Sequence, residues 1–376
     1  MPTTRPILIA FALSTAAIGA AGALFYSAEP LSHDQRLGKA SLTIRDADAQ
    51  LKGTRVVATL DAPHSPGTSL LWCGTAQLAW DELGSALNGK KGPVRVEGGH
   101  ALADSLNKGL VSPDDFDPAS YVAHAGFGRD GILDTIKASL KAKFDGKASP
   151  ALLPSSVPDA DIFAYAYLFK NLEFPTPFMR RKVPLEMAPA ALKSFGLWSD
   201  PDLRNWSELA RQITILGYES DDRWTVELKT KDSADRFIIA RLRPADTLGE
   251  TLKTALSWGD STEPILFEKA DTFIVPLMNF DITRTYRELI GMSVSGDCAA
   301  GVINDAKQNI RLRLDEKGAI LKSEFVMGVT SAAPRRDKPK RLVCDGPFLI
   351  AFMRDGAKAP YFALWVENPE LLEVWK

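Results

Sequence analysis

The sequence predicts an α+β fold in which helices come first along the chain and antiparallel strands follow. Between residues 77 and 144 apolar residues recur near a helical period, and after residue 160 short apolar runs alternate with turn residues. Apolar residues make up 45% of the 376 residues, which is enough for a sizeable core. The length suggests one large or two ordinary domains.

The helices lie in the first half of the chain. A strand at Arg55–Leu60 precedes a helix at Gln77–Leu87, whose apolar positions recur every three or four residues. Further helices are expected at His100–Leu110 and at Gly131–Phe144, the second with one clear apolar stripe. Residues 145–158, rich in Pro, Ser and Ala, read as a connection.

Strands dominate the second half. Asp161–Asn171 is the first, and Gln212–Tyr218 with Arg236–Leu242 is expected to form a hairpin. Two helices interrupt this pattern, near Pro189–Phe195 and at Asp246–Leu256.

The last third ends in a hairpin and a strand pair. Asn309–Leu314 and Ala319–Gly328 flank a turn in which Gly318 supplies the positive φ that such turns often need. Two strongly apolar strands, Pro347–Asp355 and Tyr361–Pro369, follow.

These segments, in this order, resemble the serpin superfamily. The resemblance rests on a strand that ends in Arg-Asp, on a strand that ends in Asn-Pro, and on three upstream motifs: Leu70–Trp80, Asp161–Asn171 before Pro177-Phe178, and Val275-Pro276-Leu277 before Phe280–Tyr286. It implies a serpin-like domain over residues 67–376, with a large mixed β-sheet and a second smaller sheet. Between residues 84 and 161 the chain is shorter than the family pattern, so we expect a reduced helical layer.

The resemblance also assigns a reactive loop, the exposed segment that inhibitory serpins insert into their sheet after cleavage. Glu316, Gly318 and Ala319 match its beginning, and a basic cluster falls on its distal part: Arg335, Arg336, Lys338, Lys340 and Arg341. A solvated loop is the simpler explanation of that cluster.

Three departures from the family argue against inhibition. The residues after Gly318 are large, as in a permanently paired strand, whereas fast insertion needs small ones. Asn279 replaces the lysine that pairs with the hinge glutamate, and Glu173 replaces a tryptophan. We therefore expect a non-inhibitory serpin-like protein that acts by binding or as an envelope component. The alternative is a serpin-type protease inhibitor with its reactive loop between Ala319 and Arg341.

No enzymatic, metal or cofactor site is predicted. The four histidines have no zinc-ligand spacing, and no serine lies in a G-x-S-x-G elbow. Gly126–Gly131 matches G-x-G-x-x-G, but no second βαβ unit follows, so a glycine-rich turn capped by Asp130 is the expected structure. The net charge of −2 argues against general binding to nucleic acid. The expected partner is a protease or another envelope protein.

The N-terminus predicts export. Arg5 precedes an uncharged run over residues 6–28, which fits a signal peptide or an N-terminal membrane anchor. Residues 1–28 would then be the targeting segment and residues 29–66 an extension, and the body would be extracytoplasmic (periplasmic or secreted). Of the three cysteines, Cys298 and Cys344 could pair in an oxidising compartment, and Cys73 is expected to be a buried thiol.

Overall fold

The computed structural model describes residues 31–231, 234–261, 265–320 and 339–376. Leu31–Lys376 forms one compact unit. Within the described residues no helix is long and apolar enough to cross a membrane.

Seven α-helices are present in the described residues. They are α1 (His33–Leu37), α2 (Ala47–Gln50), α3 (Thr75–Asn88), α4 (Ala101–Asn107), α5 (Ile132–Lys143), α6 (Trp206–Ala210) and α7 (Leu248–Ser261). Short 3-10 turns occur at Pro113–Asp115, Gly128–Asp130 and Pro369–Leu371.

The strands up to α7 are β1 (Leu42–Ile44), β2 (Thr54–Val57), β3 (Ser69–Cys73), β4 (Arg95–Val96), β5 (Tyr121–Phe127), β6 (Ile162–Leu168), β7 (Leu172–Glu173), β8 (Met179–Arg180), β9 (Leu185–Met187), β10 (Ala190–Leu192), β11 (Ser194–Leu197), β12 (Ile213–Ser220), β13 (Arg223–Leu228) and β14 (Asp235–Arg241). After α7 they are β15 (Thr272–Pro276), β16 (Met278–Thr285), β17 (Ser293–Ser295), β18 (Ala300–Val302), β19 (Lys307–Asp315), β20 (Gly318–Ile320), β21 (Arg341–Val343), β22 (Phe348–Arg354) and β23 (Phe362–Val366).

The largest sheet has seven strands in the order β12-β13-β14-β22-β23-β3-β2. It is mixed, because β2 and β3 are parallel while the other neighbours are antiparallel. Phe348–Met353 and Phe362–Val366 are almost fully buried, as near-continuous apolar strands must be when both sheet faces are covered. The predicted α+β class with a large mixed sheet is confirmed, and so is the antiparallel pairing of these two strands.

A second mixed sheet has the order β1-β16-β19-β20-β7, and β5 and β6 form a separate antiparallel pair. Residues 31–66 contribute β1, which runs parallel to β16, and β2, which runs parallel to β3. A four-stranded sheet, β21-β15-β11-β8, and two smaller ones complete the fold.

The structure corrects four local predictions. No helix forms near Pro189–Phe195, where the chain makes β10 and β11. The expected hairpin of Gln212–Tyr218 with Arg236–Leu242 is wrong, because β13 lies between β12 and β14 in the sheet and pairs with both. Asp130 is not the cap of α5, since Gly131 occupies the N-cap with φ 71° and no side-chain cap bond forms. Cys298 and Cys344 are free thiols, the first exposed and the second buried. The predicted burial of Cys73 is confirmed.

Candidate functional site

A cleft of about 970 Å³ lies between β6 and β19. Along one edge β6 pairs with β5, and among the described residues its other edge has no strand partner. Likewise β19 pairs with β16 from Lys307 to Leu314, and among the described residues its opposite edge is paired only at Arg313–Asp315, with β20. In the described part of the chain, two unpaired strand edges therefore face one cleft.

The back wall of the cleft is formed by α3, which packs against β5 and β6. Trp80 and Leu83 of α3 line the cleft. On β19, the Gln308 side chain faces this wall, since its Nε2 donates to the Cys73 carbonyl and to the Thr75 hydroxyl, both at 2.9 Å. On β6, the small residue Ala166 points towards the same back wall and packs against the main core. The back wall is thus apolar, with one polar bridge.

The front of the cleft carries an aromatic row from β6. Phe163, Tyr165 and Tyr167 alternate along the strand and pack in a cluster with the apolar stripe of α5. Burial raises the pKa of the Tyr165 phenol and raises that of Tyr167 to about 12. Both phenols stay neutral at ordinary pH, and the Tyr167 hydroxyl already accepts a hydrogen bond from the Ser149 amide at 3.2 Å.

The turn that the sequence identified leads into β20, whose Ile320 lines the cleft. Gly318 has φ 135°, and a side chain there would clash with the Leu172 carbonyl, so the position requires glycine. Ala319 is fully buried and lies between Leu314 of β19 and Leu172 of β7. Glu316 forms an ion pair with Arg180 at 3.3 Å, and its carbonyl accepts a hydrogen bond from the Phe178 amide. The three residues therefore anchor β20 at the mouth of the cleft.

The expected paired strand is confirmed only as far as Ile320, because the rest of Ala319–Gly328 lies outside the described residues. The side chain of Ile320 lines the cleft.

The structure describes two residues of the basic cluster, and one of them is buried. Arg335, Arg336 and Lys338 lie outside the described residues. Lys340 is only 6% exposed and forms an ion pair with buried Asp271 at 3.3 Å, so its assignment to an exposed loop is wrong. Arg341 begins β21, is exposed and pairs with Asp345. The sequence could not reveal the Lys340 pair, because Asp271 lies 69 residues away.

A buried charge cluster fixes the end of β6, and sequence reasoning missed it. The Lys170 ammonium lies 3.2 Å from the Asp235 carboxylate and 3.3 Å from that of Asp117, above the ring of Tyr361. Burial raises the pKa of the Asp235 carboxyl to about 6 and lowers the pKa of Lys170. Asp235 begins β14, so the cluster ties one edge of the cleft to the central sheet.

In the described residues no group of three or more His, Cys, Asp and Glu could hold a metal ion. The G-x-G-x-x-G segment lies between β5 and α5, and the strand that follows, β6, is antiparallel to β5. A dinucleotide-binding βαβ unit has parallel strands, so this segment does not form one.

No family model and no curated protein sequence matches the chain. Among solved structures it is similar to Serpin48, a highly specific serpin of the insect Tenebrio molitor, with a TM-score of 0.42 and 13% identity over 79% of this chain and 92% of that one. Native protease nexin-1 with heparin gives a TM-score of 0.41 and 14% identity over 78% of this chain and 90% of that one. Thyroxine-binding globulin in complex with thyroxine gives a TM-score of 0.37 and 10% identity over 68% of this chain and 77% of that one.

Proposed function

We propose that this protein acts by binding rather than by catalysis, and that its cleft accepts an extended segment of a partner protein as an additional strand. The observation that carries the proposal is the pair of facing, unpaired strand edges on β6 and β19. Unpaired N–H and C=O groups on a strand edge are a ready template for another strand. Here both sides of an entering strand would find such a template.

The geometry gives the register of an entering strand. In the ladder of β19 and β20, Ile320 pairs with Arg313, so a strand continuing in this direction would run antiparallel along the edge from Leu312 to Lys307. Its side chains would alternate between the apolar back wall and the aromatic front. We expect a preference for apolar residues at the positions that face α3.

A peptide with the sequence of residues 319–330 is a suitable first probe, because it begins with the segment that already pairs with β19. Binding should slow amide hydrogen exchange on both edges, at residues 162–168 and 307–312. The matched control carries proline at two alternate positions, which removes ladder donors. Absence of protection on both edges at millimolar peptide would refute strand addition.

A second candidate function is serpin-type protease inhibition, in which the chain's own segment after Ile320 would fill the cleft. The observation in its favour is that Ile320, the last described residue of this segment, pairs with β19 and lines the cleft. A protease adduct that survives denaturing gel electrophoresis would establish this candidate, and the partner-binding proposal predicts that none forms.

We further propose that the protein is exported and that residues 6–28 tether it to a membrane. The support is the uncharged run after Arg5, which lies outside the described residues. Membrane fractionation of the full-length chain beside a version that lacks residues 1–28 tests this: only the full-length chain should sediment with membranes and resist extraction with high salt. Recovery of a shortened, soluble product from the full-length chain would indicate a cleaved signal peptide instead.

A further inference from the structure

One short helix touches both edges of the cleft. On the β6 side, the ring of His33 in α1 stacks on Phe169, with centroids 3.4 Å apart and planes 6° apart, and its Nδ1 lies 2.8 Å from the Tyr167 hydroxyl. On the β19 side, the next residue, Asp34, accepts a hydrogen bond from Arg311 at 2.6 Å. Arg311 also donates to the carbonyl of Gly38, just after the helix. Within six residues, therefore, the chain contacts both sides of the opening.

Beyond α1 the chain is firmly held on one side. The Ser41 hydroxyl donates to the Asn279 carbonyl at 2.7 Å, and the Asn279 side chain donates to the Lys39 carbonyl at 2.9 Å. Leu42–Ile44 then joins β16 as a parallel strand. On the β6 side, the ring of His33 contacts Phe169 and Tyr167, and its backbone amide donates to the carbonyl of Lys147, which precedes β6 in the chain.

The helix occupies space that an entering strand needs. Arg311 and Phe169 both point to the front, since each contacts α1 there. In a strand that enters between Arg311 and Phe169, the residue level with these two side chains would also point to the front of the cleft. Its side chain would meet His33 and Asp34, which line the cleft.

We propose that α1 is an autoinhibitory strap, which joins the two edges of the cleft and must leave one of them before a strand can enter. This inference rests on the proposed strand-accepting function and adds its regulation. Access would be set by the contacts of His33 with β6 and by the ion pair of Asp34 with β19.

The test is a charge-reversal cycle read out as the association rate of the 319–330 peptide. Asp34 is 58% exposed in this pair, so the ion pair is of the modest surface kind. Asp34→Arg and Arg311→Asp should each speed association roughly two- to fivefold, which corresponds to ~0.5–1 kcal/mol. The double variant Asp34→Arg/Arg311→Asp should return towards the wild-type rate, and the lost bond from Arg311 to the Gly38 carbonyl should keep it slightly faster. If a charge reversal impairs folding, Asp34→Asn is the milder variant, because it removes the negative charge without reversing it.

The matched control is Asp297→Arg, which reverses one charge of an exposed ion pair with Arg95 outside the cleft lining. It should leave the association rate unchanged. His33→Ala, which removes the contacts on the other edge, should accelerate association by at least as much as Asp34→Arg.

The possible failures are distinguishable. If the peptide protects both edges of the wild-type protein but associates at one rate with every variant, α1 is not a strap and strand addition stands. If the variants associate more slowly, α1 is part of the binding surface, and the inference is again wrong. If no form binds the peptide, strand addition and the strap both fall.

Discussion

Lys170→Met should destabilise the protein strongly, because it leaves two carboxylates without their cation. The Lys170 and Asp235 side chains are both fully buried, and Asp117 retains 32% exposure. Methionine keeps nearly the length of lysine and removes its charge. The change therefore isolates the ionic contribution to the anchoring of β6.

The magnitude follows from this burial. Removal of one partner of a buried ion pair costs ~3–5 kcal/mol. For a large domain ~1 kcal/mol shifts the melting temperature by ~2–4 °C. We therefore expect a fall in Tm of roughly 6–20 °C. In Lys170→Met/Asp235→Asn, only the partly solvated Asp117 remains charged, so at least half of the loss should be recovered.

Differential scanning calorimetry and denaturant titration measure these values on purified protein. Lys137→Met is the matched control, since it breaks an exposed ion pair with Asp134, at 4.0 Å, and should cost under ~1 kcal/mol. A loss below ~1 kcal/mol for Lys170→Met would refute the reasoning. So would a double variant less stable than the single one, because the buried carboxylate would then not be the source of the cost.

Three further predictions follow from named groups. Burial raises the pKa of Asp235 to about 6, above its ordinary value of ~3.9, so the folded state holds a proton that the unfolded state has lost. The free energy of unfolding should therefore fall as pH rises through this window. In denaturant titrations from pH 4 to 7, Asp235→Asn should lose this part of the pH dependence. The same pH dependence in the variant and the wild type would contradict the assignment of the shift to Asp235. Trypsin nicking at Arg335 or Arg336 should shift Tm by under ~2 °C if the cleft serves a partner, whereas a rise of ~10 °C or more would favour inhibition by insertion of the chain's own segment. Gly318→Ala should cost ~1–3 kcal/mol and lower Tm more than Gly98→Ala, since both glycines have positive φ but only the first would clash with the Leu172 carbonyl; similar losses would mean that this contact relaxes freely.

Local features were predictable because period and turn chemistry are written in consecutive residues. The stripe of α5, the near-continuous apolar runs of β22 and β23, and the glycine turn that leads into β20 each depend on neighbours within about ten positions. The helix expected near Pro189–Phe195 failed because its apolar residues serve two short strands: β10 folds back on the neighbouring β9, and β11 pairs with the distant β15.

The sequence by itself determined the fold class, the central strand pair and the glycine that begins β20. Only the tertiary structure decided that the edges of β6 and β19, about 145 residues apart, face one cleft. It also decided that Lys170 meets Asp117 and Asp235, and that α1 reaches across to Arg311. The physical reason is that pairing between edges and burial of charge depend on which distant segments come together, and no local period encodes that choice.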